Sequence, residues 1–287
     1  MVTLRRVSGS VPLVVSDHGG RGPSLLCMHG LASNALIFEA MAAELTPAHR
    51  VVAYDQRGHG LSGDPSDGDY QFASLAEDAQ RVAEVVDLGP HVAVGHSWGA
   101  SVALHHGASS DACRAVVCVD GGTGSMGRLT WDEAERRLRP PELEGPPDEL
   151  LARIRSSQPV VPWERSEPVV RRSFVVGDDG VMRRRTPIPE HMRIVRELWS
   201  DDVDAVFDRV APKPVLLVLA GGLEADESPF VEAKREAADR IAARHAGVRV
   251  EWLPSVHDVP LLHPSDLAAL IRDFVATAPA GSRSPGR

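Results

Sequence analysis

The feature that most constrains this chain is a series of short apolar runs with no polar face, separated by helical patterns. Leu25-Leu26-Cys27-Met28 and the run VLLVLA ending at Ala220 are two of them. A strand that is apolar on both sides must be covered on both sides, as in a parallel sheet between helix layers. Eight strands are predicted: Thr3–Val7, Val11–Asp17, Ser24–Met28, Arg50–Asp55, His91–Gly95, Ala115–Asp120, Pro214–Ala220 and Val248–Leu253. Between them, Leu267, Leu270, Ile271, Phe274 and Val275 follow helical spacing, and Pro264-Ser265-Asp266 supplies start signals. Phe230, Ala233, Ala237, Ala238 and Ile241 do the same one element earlier. This alternation predicts an α/β fold built on a mostly parallel, eight-stranded, doubly wound sheet. The first two strands, joined by a short turn, are expected at an antiparallel edge.

Residues 123–212 break the rhythm. They hold no pattern of a buried strand, many prolines and arginines, and the apolar mass of Trp131, Trp163, Trp199, Met182 and Met192. Trp131–Leu138 and Glu149–Arg155 read as short amphipathic helices. The expectation is a helical cap over 123–212 inserted into a core of 1–122 and 213–278. The Pro/Gly/Ser/Arg-rich stretch 279–287 is expected to be a disordered tail.

Composition narrows the classes. The net charge is −9, from 31 basic and 40 acidic residues among 287, which argues against a phosphate-backbone binder. No run approaches the roughly 18 apolar residues of a membrane span, and polar residues interrupt the N-terminal apolar stretch, so no signal peptide is expected. A cytoplasmic location follows as an expectation, with the protein a monomer or homodimer. Cys27, Cys113 and Cys118 form no metal or disulfide pattern, and Cys27 and Cys118 sit in apolar runs as buried thiols. Lysine occurs only at Lys213 and Lys234. That bias toward arginine reads as a property of the coding genome.

The chemistry concentrates at Gly95-His96-Ser97-Trp98-Gly99, a G-x-S-x-G pattern after the apolar strand HVAV and before the small-residue run ASVAL. Strand, sharp turn and helix are the context in which such a serine becomes an exposed nucleophile. The two glycines are needed because side chains there would strike neighbouring backbone. The helix N-terminus behind Ser97 favours developing negative charge. His29-Gly30-Leu31 ends the third strand, where an oxyanion loop should begin. The backbone N–H groups of Leu31 and Trp98 are therefore the expected oxyanion donors, with both side chains expected at the substrate pocket. His29 reads as a structural histidine of that loop.

With His29-Gly30, then D-Q-R-G-H-G-L-S at Asp55–Ser62, then GHSWG, the chain resembles an α/β-hydrolase over nearly its whole length. The resemblance implies a structural turn at Asp55–Ser62, a cap after the sixth strand, and a triad running serine, acid, histidine along the chain. The histidine should follow the last strand, where His257 stands four residues after Leu253; His263 looks like a helix-entry residue. Most members carry the acid after the seventh strand, and there the loop reads A-G-G-L-E-A-D-E-S, offering Glu224 or Asp226. The alternative is the end of the sixth strand, VVCVDGG, which offers Asp120. One branch of the haloalkane dehalogenases and the zearalenone lactonases place their acid there. A lone aspartate ending a buried strand needs a partner, and His257 would be that partner. Asp120 is the first choice, with Asp226 and Glu224 as alternatives.

These residues predict a serine hydrolase that cleaves an ester or lactone of a small to medium, largely apolar substrate through a Ser97 acyl-enzyme, without metal or organic cofactor. An aspartate nucleophile marks the dehalogenase and epoxide-hydrolase branches, and this chain has serine. Its HGLAS loop departs from the HGGPG-like loop of proline iminopeptidases, and its cap is longer than that of type II thioesterases. Two other readings stay open: a non-hydrolytic or C–C bond-cleaving biosynthetic enzyme, and a non-catalytic ligand-binding relative. In the cap, Arg183–Arg185 could meet an acidic substrate, but read first as a solvated turn.

Overall fold

The computed structural model describes residues 2–124, 129–223 and 229–277. Six strands come first: β1 (Thr3–Val7), β2 (Leu13–Gly19), β3 (Ser24–Met28), β4 (Arg50–Asp55), β5 (His91–His96) and β6 (Cys113–Val119). Three short ones follow, β7 (Glu144–Gly145), β8 (Phe174–Val176) and β9 (Met182–Arg184), and then β10 (Val215–Ala220) and β11 (Val248–Leu253). The main sheet has eight strands in the order β1-β2-β4-β3-β5-β6-β10-β11. The β1–β2 and β2–β4 pairs are antiparallel, and every pair from β4 to β11 is parallel. The antiparallel edge and the parallel body are both as the apolar pattern predicts.

Alternation within each strand splits the core into two layers. Leu26 and Met28 of β3, with Leu217 and Leu219 of β10, face one layer of helices. Leu25 and Cys27, with Leu216 and Val218, face the other. Adjacent strand residues point to opposite faces, so an unbroken apolar run is the sequence trace of two buried faces. The first layer contains α2 (Phe72–Val85), α3 (Trp98–Ser109) and α9 (Pro229–Arg244). The second contains α1 (Glu39–Leu45) and α11 (Pro264–Thr277), entered through the single turn α10 (Val259–Leu262). All three cysteines are free and buried, and burial raises the thiol pKa of Cys27 and Cys118.

Strand ends shift by a residue or two. β2 starts at Leu13 instead of Val11, because Val11 and Pro12 give their carbonyls to Arg81 and Gly63. Asp120 falls one residue past β6, yet its N–H still bonds to Val218 of β10.

Between β6 and β10 lie α4 (Trp131–Leu138), α5 (Pro147–Ser157), α6 (Trp163–Arg172), α7 (Ile188–Ser200) and α8 (Val203–Val210). The stretch is not purely helical: β7, β9 and β8 form a small antiparallel sheet. Its strands are only two or three residues long and largely exposed, so they leave no apolar run to find in the sequence. The last helix, α8, packs Val206, Phe207 and Val210 into the same layer as α3. The tail 279–287 lies outside the described residues. Among the described residues, no helix is long and apolar enough to cross a membrane.

Candidate active site

The tight turn between β5 and α3 presents Ser97. Its backbone sits at φ 55°, ψ −122°, a conformation that costs a non-glycine residue about 1–3 kcal/mol and is held by its surroundings. The Ser97 N–H is anchored to the Val119 carbonyl at 2.8 Å. A Cβ on Gly95 would lie 2.0 Å from the Gly99 carbonyl oxygen, and one on Gly99 would lie 2.1 Å from that of Met28. The two glycines are thus required by close backbone approach, as the motif implies.

The turn after β11 carries His257 to this serine. Its Nε2 is 2.8 Å from Ser97 Oγ and its Nδ1 is 2.6 Å from Asp120 Oδ2. A carboxylate can only accept, so Nδ1 carries the proton and the Nε2 lone pair faces the serine hydroxyl. Half of the imidazole, 51% of its side-chain surface, is open to the cleft, whereas Asp120 is sealed at 1%. Burial pulls the His257 pKa down, but the hydrogen bond and charge of Asp120 outweigh it, and the net shift is upward. His96, the residue before the serine, donates Nε2–H to the His257 carbonyl at 2.9 Å and so supports the turn that carries the imidazole.

Asp120 is itself in the left-handed region, at φ 43°. Its Oδ1 accepts from the Ala220 N–H at 2.9 Å and from Lys234 Nζ at 2.7 Å, and the Lys234 ammonium also donates to the Ala220 carbonyl at 2.6 Å. Burial alone would raise the acid's pKa. The partners His257 and Lys234 reverse that and hold it at about 2. Lys234, on α9, escaped the sequence reading. Its one signal was rarity: in an arginine-rich chain, a lysine marks a place where a compact ammonium fits and a planar guanidinium does not. The other lysine, Lys213, is also engaged, donating to the carbonyls of Gly107 and Ser110. The alternative acids Glu224 and Asp226 lie outside the described residues.

On the other side of Ser97 runs the loop after β3. Among the described residues, no protein group accepts the backbone N–H of Leu31 or of Trp98, and Leu31 lines the cleft. The neighbouring Ala32 N–H bonds to His59 Nε2 at 3.3 Å, which ties the loop to the Asp55–Ser62 turn. His29 accepts the Gln56 N–H on Nε2 and donates from Nδ1 to the Gly30 carbonyl, and burial holds its pKa down to about 3. It is a neutral structural group, as read. Asp55 caps the backbone N–H groups of Ala35 and Leu61, and Arg57 pairs with the buried Asp78. The turn is architecture.

One expectation needs correcting. The Trp98 side chain does not reach the substrate space: it is fully buried and packs with its ring centroid 5.4 Å from that of His59. The first residue of α3 points its backbone N–H toward the elbow, while its side chain turns back into the core.

The cleft over Ser97 and His257 has a volume of about 280 Å³. Its apolar wall includes Leu31, Ile37, Ile154, Val169, Phe174 and Leu261, with α5, α6 and β8 forming the insert side. Trp131 and Trp199 instead pack on each other inside the insert. A larger depression of about 640 Å³, lined by Ala73, Gln80, His105 and Asp111, contains no member of the Ser97 group. The smaller cleft is the one that Ser97 and His257 line.

Of the three consecutive arginines, Arg183 pairs with Asp179 and Glu144 in solvent, and Arg185 pairs with Asp64. Only Arg183 is solvated: the Arg185 side chain is 17% exposed and also donates to the carbonyls of Gly60 and Ser62, and Arg184 lines the cleft. Among the described residues, one group has spacing suited to a metal ion: His91, His106 and Cys113, with ligand atoms within 4.8 Å of one another. It sits at the start of β5, the end of the strand opposite Ser97. The two imidazoles share an Nε2–Nε2 hydrogen bond of 2.9 Å.

The profile of the alpha/beta hydrolase family matches residues 25–270. The 2-(acetamidomethylene)succinate hydrolase of Mesorhizobium japonicum is 37% identical over 217 residues, 75% of this chain and 76% of that protein. A crystal structure of E-2-(acetamidomethylene)succinate hydrolase superposes with a TM-score of 0.78 at 25% identity, covering 96% of this chain and all of the other. An esterase from Mycobacterium tuberculosis superposes with a TM-score of 0.73 at 22% identity, covering 96% and 92% of the two chains, a likeness of fold alone.

Proposed function

This chain belongs to the alpha/beta hydrolase family, and from that premise we propose that it is a serine hydrolase working through an acyl-enzyme on Ser97. The observation that carries the reading is the continuous relay Ser97 Oγ to His257 to Asp120, at 2.8 and 2.6 Å, opening into a cleft. His257 Nε2 takes the serine proton as Oγ attacks the substrate carbonyl carbon. The oxyanion meets the N–H groups of Leu31 and Trp98, each such donor commonly contributing a factor of about 10²–10³. Collapse breaks the bond to the leaving group, which receives the proton from Nε2. Water then gives its proton to Nε2 and attacks the acyl carbon; collapse breaks the acyl–Oγ bond, Oγ takes the proton back from Nε2, and the acid and free Ser97 are released.

Asp120 fixes the Nδ1–H tautomer and stabilises the imidazolium that forms at each proton transfer. Lys234 holds Asp120 ionised and tempers its pull on His257. Neutral His257 is the active base. Because its pKa is raised, activity falls on the acid side earlier than an unperturbed imidazole would allow.

An ester or lactone of small to medium size fits the cleft volume and its apolar wall. A second reading, an amide, is favoured by the 37% identical relative, whose name describes an acetamido compound. In that case Nε2 protonates a nitrogen leaving group through the same relay.

The test is a fluorophosphonate probe on the wild type and on Ser97→Ala, with hydrolysis of p-nitrophenyl acetate and p-nitroacetanilide followed in parallel. Labelling lost in Ser97→Ala supports the nucleophile, and the ester-to-anilide ratio separates the two bonds. A wild type that takes no label overturns the acyl-enzyme reading.

A further inference from the structure

Arg184 is out of place for a surface arginine. It ends β9, pairs in register with Phe174 of β8, and faces the cleft from the insert side. Its guanidinium carbon lies 5.8 Å from the Phe174 ring centroid. Of its five N–H donors, one nitrogen, Nη2, reaches the Pro141 carbonyl at 3.3 Å, while Nε is buried with no hydrogen-bond partner. It makes no ion pair with any described residue, although Arg183 and Arg185 on either side both do. Glu142 contributes to its field without coming within ion-pair distance, and burial lowers its pKa.

A half-buried guanidinium without a counter-ion carries a desolvation cost that a ligand anion would offset. The cleft is also polarised. Asp258 lines it beside His257 and acts electrostatically on both His257 and His96. An anionic substrate group is repelled from that end and drawn to the Arg184 side. The remaining wall combines Leu143, Ile154, Val170 and Phe174, which suit a short methylene spacer, with the polar side chains of Ser157, Gln158, Ser166 and Ser173.

We propose that Arg184 is an anion-binding group of the cleft and that the substrate carries a carboxylate, held across the cleft from Ser97. The proposal rests on the hydrolase reading above and sharpens its substrate class, from an apolar acyl compound to one with an apolar spacer and an acidic end. Arg184 acts on specificity and binding. It takes no part in proton transfer.

The pair of probes is monomethyl adipate and methyl heptanoate, which differ in replacing the carboxylate by an ethyl group. Binding is measured by calorimetry on Ser97→Ala with and without Arg184→Gln, so the outcome does not depend on turnover. Hydrolysis by the wild type, Arg184→Gln and Arg184→Lys is followed by pH-stat titration. We expect Arg184→Gln to weaken monomethyl adipate about 10- to 100-fold in affinity and in kcat/KM, the range for a charge-assisted hydrogen bond, and to leave methyl heptanoate within a few-fold. Arg184→Lys should recover part of the loss. Equal binding of the two probes to Ser97→Ala, or an equal loss for both on removing Arg184, overturns the proposal. Failure of Ser97 to label would overturn the acyl-enzyme and leave the binding result standing.

Discussion

The clearest handle on this site is Lys234→Met, which removes the ammonium from Asp120 while keeping an unbranched apolar stem. The Nζ–Oδ1 and Oδ2–Nδ1 contacts of 2.7 and 2.6 Å place the ammonium and imidazole charges about 6 Å apart across one carboxylate. At an effective dielectric of about 20, that repulsion is about 2.8 kcal/mol. With 51% of the His257 side chain open to solvent, roughly half survives screening, about one pH unit. Lys234 lowers the His257 pKa, so its removal raises it. The acid limb of kcat/KM for p-nitrophenyl acetate should therefore move about one unit toward alkaline pH, with the plateau reduced less than the value at pH 6. Stability should fall as well, by about 3 kcal/mol, because Asp120 and Lys234 are both sealed from solvent and one partner is deleted. Cooperative urea unfolding of Lys234→Met at pH 7 controls for folding. An acid limb that stays in place, or moves toward acid, in a folded Lys234→Met protein would refute the electrostatic coupling.

Two further predictions concern Asp120. Replacing Asp120 by Asn should lower kcat at pH 7 by about 10⁴-fold through loss of the Nδ1–H tautomer, whereas Asp226→Asn and Glu224→Gln should stay within a few-fold; the reverse ranking would move the acid to the loop after β10. The Asp120 carboxyl is held at about 2, below the unfolded value of about 3.9. Its contribution, on the order of 2 kcal/mol, is fully present above about pH 4 and is lost as pH falls through 2. Urea unfolding at stepped pH should show that loss in the wild type, and Asp120→Asn should lack this component.

The fold was legible because its signals are local. LLCM and VLLVLA report two-sided burial, and 3.6-residue spacing marks α11, with no knowledge of which strand lies beside which. Gly95 to Gly99 was legible for the same reason: the constraints of a sharp turn are written in five adjacent residues. The insert was harder, since its short exposed strands carry no apolar run and Trp131 and Trp199 pack on each other while Phe174 lines the cleft. Trp98 was misjudged because adjacency to the nucleophile says where a backbone N–H points, and nothing about which way the helix turns the side chain.

The sequence by itself determined the sheet, the elbow and the serine–histidine pair, since each follows from local period or from order along the chain. The tertiary structure alone decided the company those residues keep. Asp120 meets Lys234 across 114 positions, and Arg184 lines the cleft while Arg183 pairs in solvent and Arg185 is tied to the Asp55–Ser62 turn. A buried charge leaves little trace in local pattern. Its identity is set by the partner that compensates it, and that partner is brought near only by the packing of the whole sheet and its helices.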